Sequence, residues 1–283
     1  MKVPKRLQPL VEDGLVDAVV RQLMSGKEAN VYVVRCGEEI RCAKVYKEAN
    51  QRSFRQSVTY TEGRKVKNSR RARAMEKGGR YGRKAQEDTW QSAEVDALYR
   101  LAAAGVRVPK PYLFYEGVLL MELITDGQGD VAPRLYDLAL TAPQAREYHR
   151  LLIAQVVLML CAGLVHGDLS EFNVLISGDG PVIIDLPQAL DASGNNQACG
   201  MLTRDVTHLA TYFSRFAPEL RSTDYGKEIW SLYQSGDLHP LTELTGRFKH
   251  SDKPADVEGV LREVEAATDE EEARQRGRRE LES

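Results

Sequence analysis

From Leu164 the chain reads Leu-Val-His-Gly-Asp-Leu-Ser-Glu-Phe-Asn, followed by two apolar runs, Val174-Leu175-Ile176 and Val182-Ile183-Ile184. Gly178-Asp179-Gly180 lies between the two runs. Apolar runs joined by a glycine-bearing turn predict a β-hairpin. A hairpin folds the chain back on itself, so Asn173 at its entrance and Asp185 at its exit come close together. Both offer hard oxygen atoms of the kind magnesium prefers. Asp168 sits on the same loop as Asn173, so three polar side chains converge on a short stretch of backbone.

The interval from Asp168 to Asn173 is that of the H-R-D-x-x-x-x-N loop of kinases. Phosphoryl transfer from ATP needs a group to orient the attacking hydroxyl and oxygen ligands for magnesium. Asp168 suits the first task, and Asn173 with Asp185 the second. Such chemistry also calls for a phosphate loop, a strand lysine and a helical glutamate, in that order. Ser25-Gly26-Lys27-Glu28-Ala29-Asn30 falls between β-rich runs at Val16 to Met24 and Val31 to Arg35. The turn carries one glycine and is neither G-x-G-x-x-G nor a Walker loop. Its backbone N–H groups and the Ser25 hydroxyl can still face phosphate oxygens, although an ordinary hairpin turn would read the same way. Cys42, Lys44 and Tyr46 share one face of the strand that follows, by the alternation of a β-strand. In a helix predicted over Trp90 to Ala103, Val95, Leu98, Leu101 and Ala102 form an apolar stripe. Glu94 borders that stripe, so it can reach inward to Lys44. Gly105 and Pro109 supply the stop signals.

Taken in order, these residues resemble the RIO kinases, an atypical serine/threonine protein-kinase group. The resemblance is carried by Ser-Gly-Lys-Glu-Ala-Asn-Val-Tyr at 25 to 32, Ala-Lys-Val-Tyr-Lys at 43 to 47 and the Trp90/Glu94 helix. It continues through Val-Pro-Lys-Pro at 108 to 111, His-Gly-Asp-Leu-Ser-Glu-Phe-Asn at 166 to 173 and Ile-Asp-Leu-Pro-Gln at 184 to 188. It spans roughly residues 14 to 220. It implies an α+β, two-lobed protein-kinase-like fold with an antiparallel-sheet N-lobe and a mainly helical C-lobe. The implied division is an N-lobe over 1–124, a C-lobe over 125–255 and a charged helical tail over 256–283. It also implies ATP and magnesium, with manganese as a substitute. Asp168 would be the catalytic aspartate, and Asn173 and Asp185 the metal ligands. Lys44 would contact phosphates and be held by Glu94. Ser25, Gly26 and Lys27 would lie by the phosphates. Met121, Glu122 and Leu123 would edge the adenine through backbone groups. Where relatives carry His-Ala-Asp, Gly167 replaces the alanine, which reads as a small change. Leu-Pro-Gln at 186 to 188 stands where Val-Ser-Gln is common, and Pro187 stiffens that loop. These departures suggest a divergent, bacterial branch.

Two familiar kinase features are missing. Ser170 stands where protein kinases place a lysine, two residues after the catalytic aspartate. The stretch from 189 to 200 is short and polar, too small for a long activation segment. A helix is predicted from Thr203 to Phe216 on the stripe Val206, Leu209, Ala210 and Phe213. Ala217-Pro218-Glu219 follows that helix and so does not close an activation segment. Asp205 can cap the backbone around the catalytic loop or, as the more ordinary reading, the N-terminus of its own helix.

A chain of 283 residues, 42% hydrophobic, has material for two lobes around a cleft. No run approaches the roughly 18 apolar residues of a membrane helix. Ile153 to Ala162, the longest, is interrupted by Gln155 and reads as a core helix. The N-terminus lacks an apolar secretory core, and cysteines 36, 42, 161 and 199 lack metal-ligand spacing. A reducing cytoplasm is the expectation. Net charge is −2, yet Gln51 to Lys84 holds twelve Arg or Lys against Glu62 and Glu76. This basic insertion is similar to the loop RIO kinases carry there. It could attract RNA or the ribosome through phosphates, lid the cleft, or accept autophosphorylation at its serines and threonines. Three functions stay open: a protein kinase, an ATPase-switched ribosome assembly factor, and a small-molecule kinase of the aminoglycoside or choline phosphotransferase type.

Overall fold

The structure is a computed structural model and describes residues 3–47 and 93–248. The basic insertion at 51–84, Trp90 and the tail from Asp256 lie outside the described residues.

Strands β1 (Ala18–Ser25), β2 (Ala29–Cys36), β3 (Glu39–Tyr46), β4 (Pro111–Tyr115) and β5 (Val118–Glu122) form one antiparallel sheet in the order β1-β2-β3-β5-β4. Both faces of this sheet are covered, which explains the unbroken apolar run in β5. On one face Ala43, Val45, Val118 and Leu120 pack with Leu7 and Leu10 of the N-terminal segment, where helix α1 spans Gln8–Glu12. On the other, Tyr46 and Leu119 join Val95, Leu98 and Leu101 of helix α2, residues 93–103. The stripe seen in the sequence is therefore the buried face of α2. Gly105, at φ +79, takes the left-handed conformation just past its end.

The second half is mainly helical. Helix α3 (Ala142–Cys161) starts at a capping box, in which Thr141 and Gln144 exchange side-chain-to-backbone hydrogen bonds. Gln155, the polar break in its apolar run, accepts the Arg107 N–H at 2.7 Å. Helix α4 spans Ala198–Phe213 and helix α5 Tyr225–Ser235. Between α3 and α4 lie a short pair, β6 (Leu164–Val165) with β9 (Leu190–Asp191), and the hairpin β7 (Val174–Ser177) with β8 (Gly180–Ile183). A five-stranded antiparallel sheet followed by helices and a hairpin loop gives a two-lobed, kinase-like α+β fold.

Helix α4 departs from expectation. It begins at Ala198, not Thr203, and ends at Phe213, not Phe216. The Asn195 side chain accepts the Gln197 N–H at 2.8 Å, and the Asn195 carbonyl accepts the Ala198 N–H at 3.1 Å. Those bonds start the helix inside a stretch that looks like loop. Ala198, Met201 and Leu202 then extend its buried stripe backwards. Asp205 consequently sits in mid-helix and cannot cap it. Among the described residues, no helix is long and apolar enough to cross a membrane.

Candidate active site

Alternation along β3 puts Ala43 and Val45 against the N-terminal segment and turns Lys44 toward the cleft. Its Nζ donates to Glu94 Oε1 at 2.5 Å and to Asp185 Oδ1 at 3.0 Å. Glu94 is 4% exposed on the inner face of α2, and Asp185 follows β8. Three residues far apart in sequence thus meet at one ammonium group. Burial works against the Lys44 charge, but Glu94 and Asp185 more than offset it and hold its pKa well above the ordinary range. Burial likewise opposes ionisation of Asp185, and the charge and hydrogen bond of Lys44 outweigh it, so its pKa lies below the usual value. Tyr46, buried next to Lys44 on the same face, is raised by burial and by the Glu94 charge.

The loop around Asp168 is held differently. His166 is buried, and its Nε2 lies 3.2 Å from the Ile184 carbonyl. Its Nδ1 accepts the Asp168 N–H at 3.3 Å. The tautomer consistent with both contacts carries its proton on Nε2 and donates to Ile184. Burial lowers the His166 pKa, in keeping with a neutral ring. Gly167 is clamped on both sides: Asp205 Oδ2 accepts its N–H at 2.8 Å, and Arg204 donates to its carbonyl. Asn173 Nδ2 donates to the Asp168 carbonyl at 2.8 Å, which leaves Oδ1 as its oxygen for a cation. The Asn173 carbonyl accepts the Ile184 N–H at 2.9 Å. Asp168 itself is exposed between buried Gly167 and Leu169.

Two expectations are corrected here. Asp205 does not cap its helix; from mid-helix it binds the backbone beside Asp168. Burial pushes its carboxyl up to about 7 against the Gly167 N–H and Arg204. Nor is glycine at 167 a small change. Its φ is +81, and a Cβ there would lie 2.7 Å from the Gln188 carbonyl oxygen. A side chain would be strained and would collide with backbone.

The remaining expected residues lie around this core. Ser25 Oγ donates to Asn30 Oδ1 at 2.8 Å across the β1–β2 turn, and Lys27 is exposed at its tip. Lys47 donates to the Gly26 carbonyl at 2.6 Å and so fixes the turn to the end of β3. The structure does not bring Ser25 or Lys27 into direct contact with Lys44, Asp168 or Asp185. Met121 and Leu123 are half-buried at and just beyond the end of β5. The Glu122 N–H is taken by the Lys110 carbonyl at 2.8 Å, and its carboxylate forks onto Arg107 at 3.0 Å. Met121 is in register with Cys42 of β3 and with Pro111 of β4. Lys47, Arg134 and Arg204 were not anticipated from the sequence. A lysine three residues beyond Lys44 was the available signal for Lys47; a mid-chain arginine gives none.

The donor set suits a nucleotide-bound divalent cation. Asp185 has a positive φ of +67, and its carboxylate is 45% exposed beside the cleft. Among the described residues no group of three or more His, Cys, Asp or Glu forms a metal cage. One carboxylate and one amide oxygen, completed by phosphate and water, is the manner in which magnesium is commonly held.

This fold, with a lysine bridging a helical glutamate and a post-hairpin aspartate, defines a protein-kinase-like phosphotransferase class. A model of the RIO domain matches residues 30–226. The chain is 37% identical over 212 residues to the RIO-type serine/threonine-protein kinase Rio1 of Haloferax volcanii, covering 73% of this chain and 67% of that protein. It is 30% identical over 215 residues to the serine/threonine-protein kinase rio1 of Schizosaccharomyces pombe, covering 74% and 41%. It is 32% identical over 205 residues to the serine/threonine-protein kinase RIO1 of Homo sapiens, covering 71% and 34%. The match therefore spans about two thirds of the archaeal relative and less than half of the two eukaryotic ones. The chain belongs to the RIO family of serine/threonine-protein kinases. These relatives are archaeal and eukaryotic, so a bacterial placement stands on the loop departures alone.

Proposed function

We propose that this chain transfers the γ-phosphoryl group of ATP to serine or threonine hydroxyls of protein, itself included. The observation that carries the reading is the Lys44 ammonium, bonded at once to Glu94 and Asp185 beside an exposed Asp168. Lys44 binds nucleotide phosphates, and Glu94 fixes its position. The Ser25–Lys27 turn offers N–H groups to the phosphates, and Met121 and Leu123 edge the base. Asp168 orients the acceptor hydroxyl and takes its proton as the oxygen attacks phosphorus. The ADP oxygen leaves from the opposite side. Asn173 and Asp185 hold magnesium, with manganese as a substitute. When bound, the cation neutralises charge on the phosphates. In this reading 1–124 is the nucleotide lobe, 125–255 the lobe of the acceptor, and 256–283 a tail.

The twelve basic residues of 51–84 favour a second role, in which turnover times release from RNA or the ribosome. Four free cysteines accord with a reducing cytoplasm. The deciding experiment follows γ-labelled ATP in the full chain. Label on serine or threonine of protein supports the kinase. Label on water alone supports the ATPase timer, and label on an added small alcohol supports a small-molecule kinase.

A further inference from the structure

Arg134 lies outside the motifs quoted above, and its backbone is held on both sides. Residue 134 pairs with Leu175 of β7 in an isolated bridge. On one side the Pro133 carbonyl accepts the Ile176 N–H at 2.9 Å. On the other, the buried Tyr212 hydroxyl donates to the Leu135 carbonyl at 2.7 Å. From this anchor the side chain reaches across the cleft, and its Nη2 lies 3.0 Å from Met24 Sδ at the end of β1. Met24 immediately precedes the Ser25–Lys27 turn.

A thioether is a weak acceptor, and a guanidinium presents five donors. Among the described residues Arg134 forms no ion pair. A half-buried cation thus stands against the strand that leads into the turn, and among the described residues it has no carboxylate partner. An anion held at that turn would meet it. The fork of arginine matches phosphate oxygens in bidentate fashion.

We infer that Arg134 is a nucleotide-positioning residue that grips the polyphosphate from the helical side of the cleft, opposite Lys44. This rests on the proposed use of ATP, and a bound phosphate would replace the weak contact with Met24. Lys44 and Arg134 would then flank the same phosphates from two lobes.

The test uses the full chain with magnesium and measures equilibrium binding of ATP and of adenosine, with melting temperature alongside. Arg134→Gln should weaken ATP roughly tenfold to a hundredfold, as loss of a charge-assisted bond does, and leave adenosine within about twofold. Arg134→Lys should fall between. Met24→Ala should bind ATP like the parent chain. The inference is overturned if Arg134→Gln binds ATP like the parent, or loses ATP and adenosine equally. It is overturned too if Met24→Ala reproduces the Arg134→Gln defect, since the pair would then be an interlobe latch. A parent chain that prefers ATP over adenosine while Arg134→Gln is silent sinks this inference alone. A parent chain with no preference for ATP sinks it together with the proposed function.

Discussion

Lys44 and Asp168 reach the same cleft by different means. Lys44 is positioned by charge: two carboxylates from separate elements, Glu94 and Asp185, converge on its Nζ. Asp168 is positioned by its backbone: His166, Asn173, Asp205 and Arg204 hold main-chain groups at 167–168 and leave its carboxylate exposed. A charge-held group can shift when its partners change, for instance when a cation takes up Asp185. A backbone-held group cannot move without breaking the loop. The sheet side of the site is thus built to adjust to its ligand, and the loop side to stay still while an acceptor arrives. Substitutions on the two sides should separate activity from stability in different ways.

The largest effect expected on the charge-held side is that of Asp185→Asn. The variant keeps the shape and the fold but loses the anionic ligand. Turnover should fall by about a thousandfold or more, the scale of losing a main electrostatic contributor. Melting should stay close to that of the parent chain. A variant that unfolds would make Asp185 a structural residue, and one with near-native turnover would remove it from the metal site.

Gly167→Ala probes the backbone-held side. A left-handed φ costs a residue with a side chain about 1–2 kcal/mol, and the contact with Gln188 adds to it. Urea unfolding should show a loss of about 2–4 kcal/mol for the two together, with turnover reduced as the loop is displaced. Unchanged stability would mean that the 167–168 backbone is not fixed as described.

Glu94→Gln should be milder. Lys44 keeps Asp185 as a partner and can still donate to the amide oxygen. Turnover should drop about tenfold and stability by about 1–3 kcal/mol, the range for a buried charged bond. Equal losses in the absence and presence of ATP would show that Glu94 acts on folding rather than on lysine placement.

The smallest effect on turnover accompanies a pH dependence of stability. The Asp205 carboxyl is raised to about 7 in the fold, whereas an unfolded aspartate titrates near about 4. Protonation is therefore favoured by folding, and the stability it contributes is lost as pH rises through the folded value. The Asp205→Asn variant has no titrating group at that position. The stability of the parent relative to Asp205→Asn should fall between about pH 4 and 7, by about 1.4 kcal/mol for each pKa unit that separates the folded from the unfolded carboxyl, then level off. Urea unfolding at pH 5 and pH 8 measures it. Parallel behaviour of the two chains would mean that folding does not raise the Asp205 carboxyl.

The parts of the site visible in the sequence are those with short-range or ordered signals. Asn173 and Asp185 are brought together by a local hairpin, so a short stretch of pattern suffices. Lys44 and Glu94 are separated by 50 positions, and each became meaningful through its place in an ordered series. The Asp205 contact had only an ambiguous signal, since an aspartate near an expected helix start reads first as that helix's cap. A mid-helix aspartate bound to a backbone amide 38 residues earlier follows no local period, and α4 starts inside a stretch rich in Asn and Gly that reads as loop. Gly167 looked interchangeable with alanine because φ and the approach of Gln188 are set by tertiary packing. Arg134 depends on a crossing of the cleft, which only the assembled fold supplies.

Asp168→Ala tests the central claim most directly, with label transfer from γ-labelled ATP to protein and equilibrium affinity for ATP measured on the same preparation. Asp168 acts on the acceptor, so transfer should fall by about a hundredfold to ten-thousandfold while ATP affinity stays within several-fold of the parent. Loss of ATP affinity with transfer preserved at saturating nucleotide would contradict the account and move Asp168 into the nucleotide site.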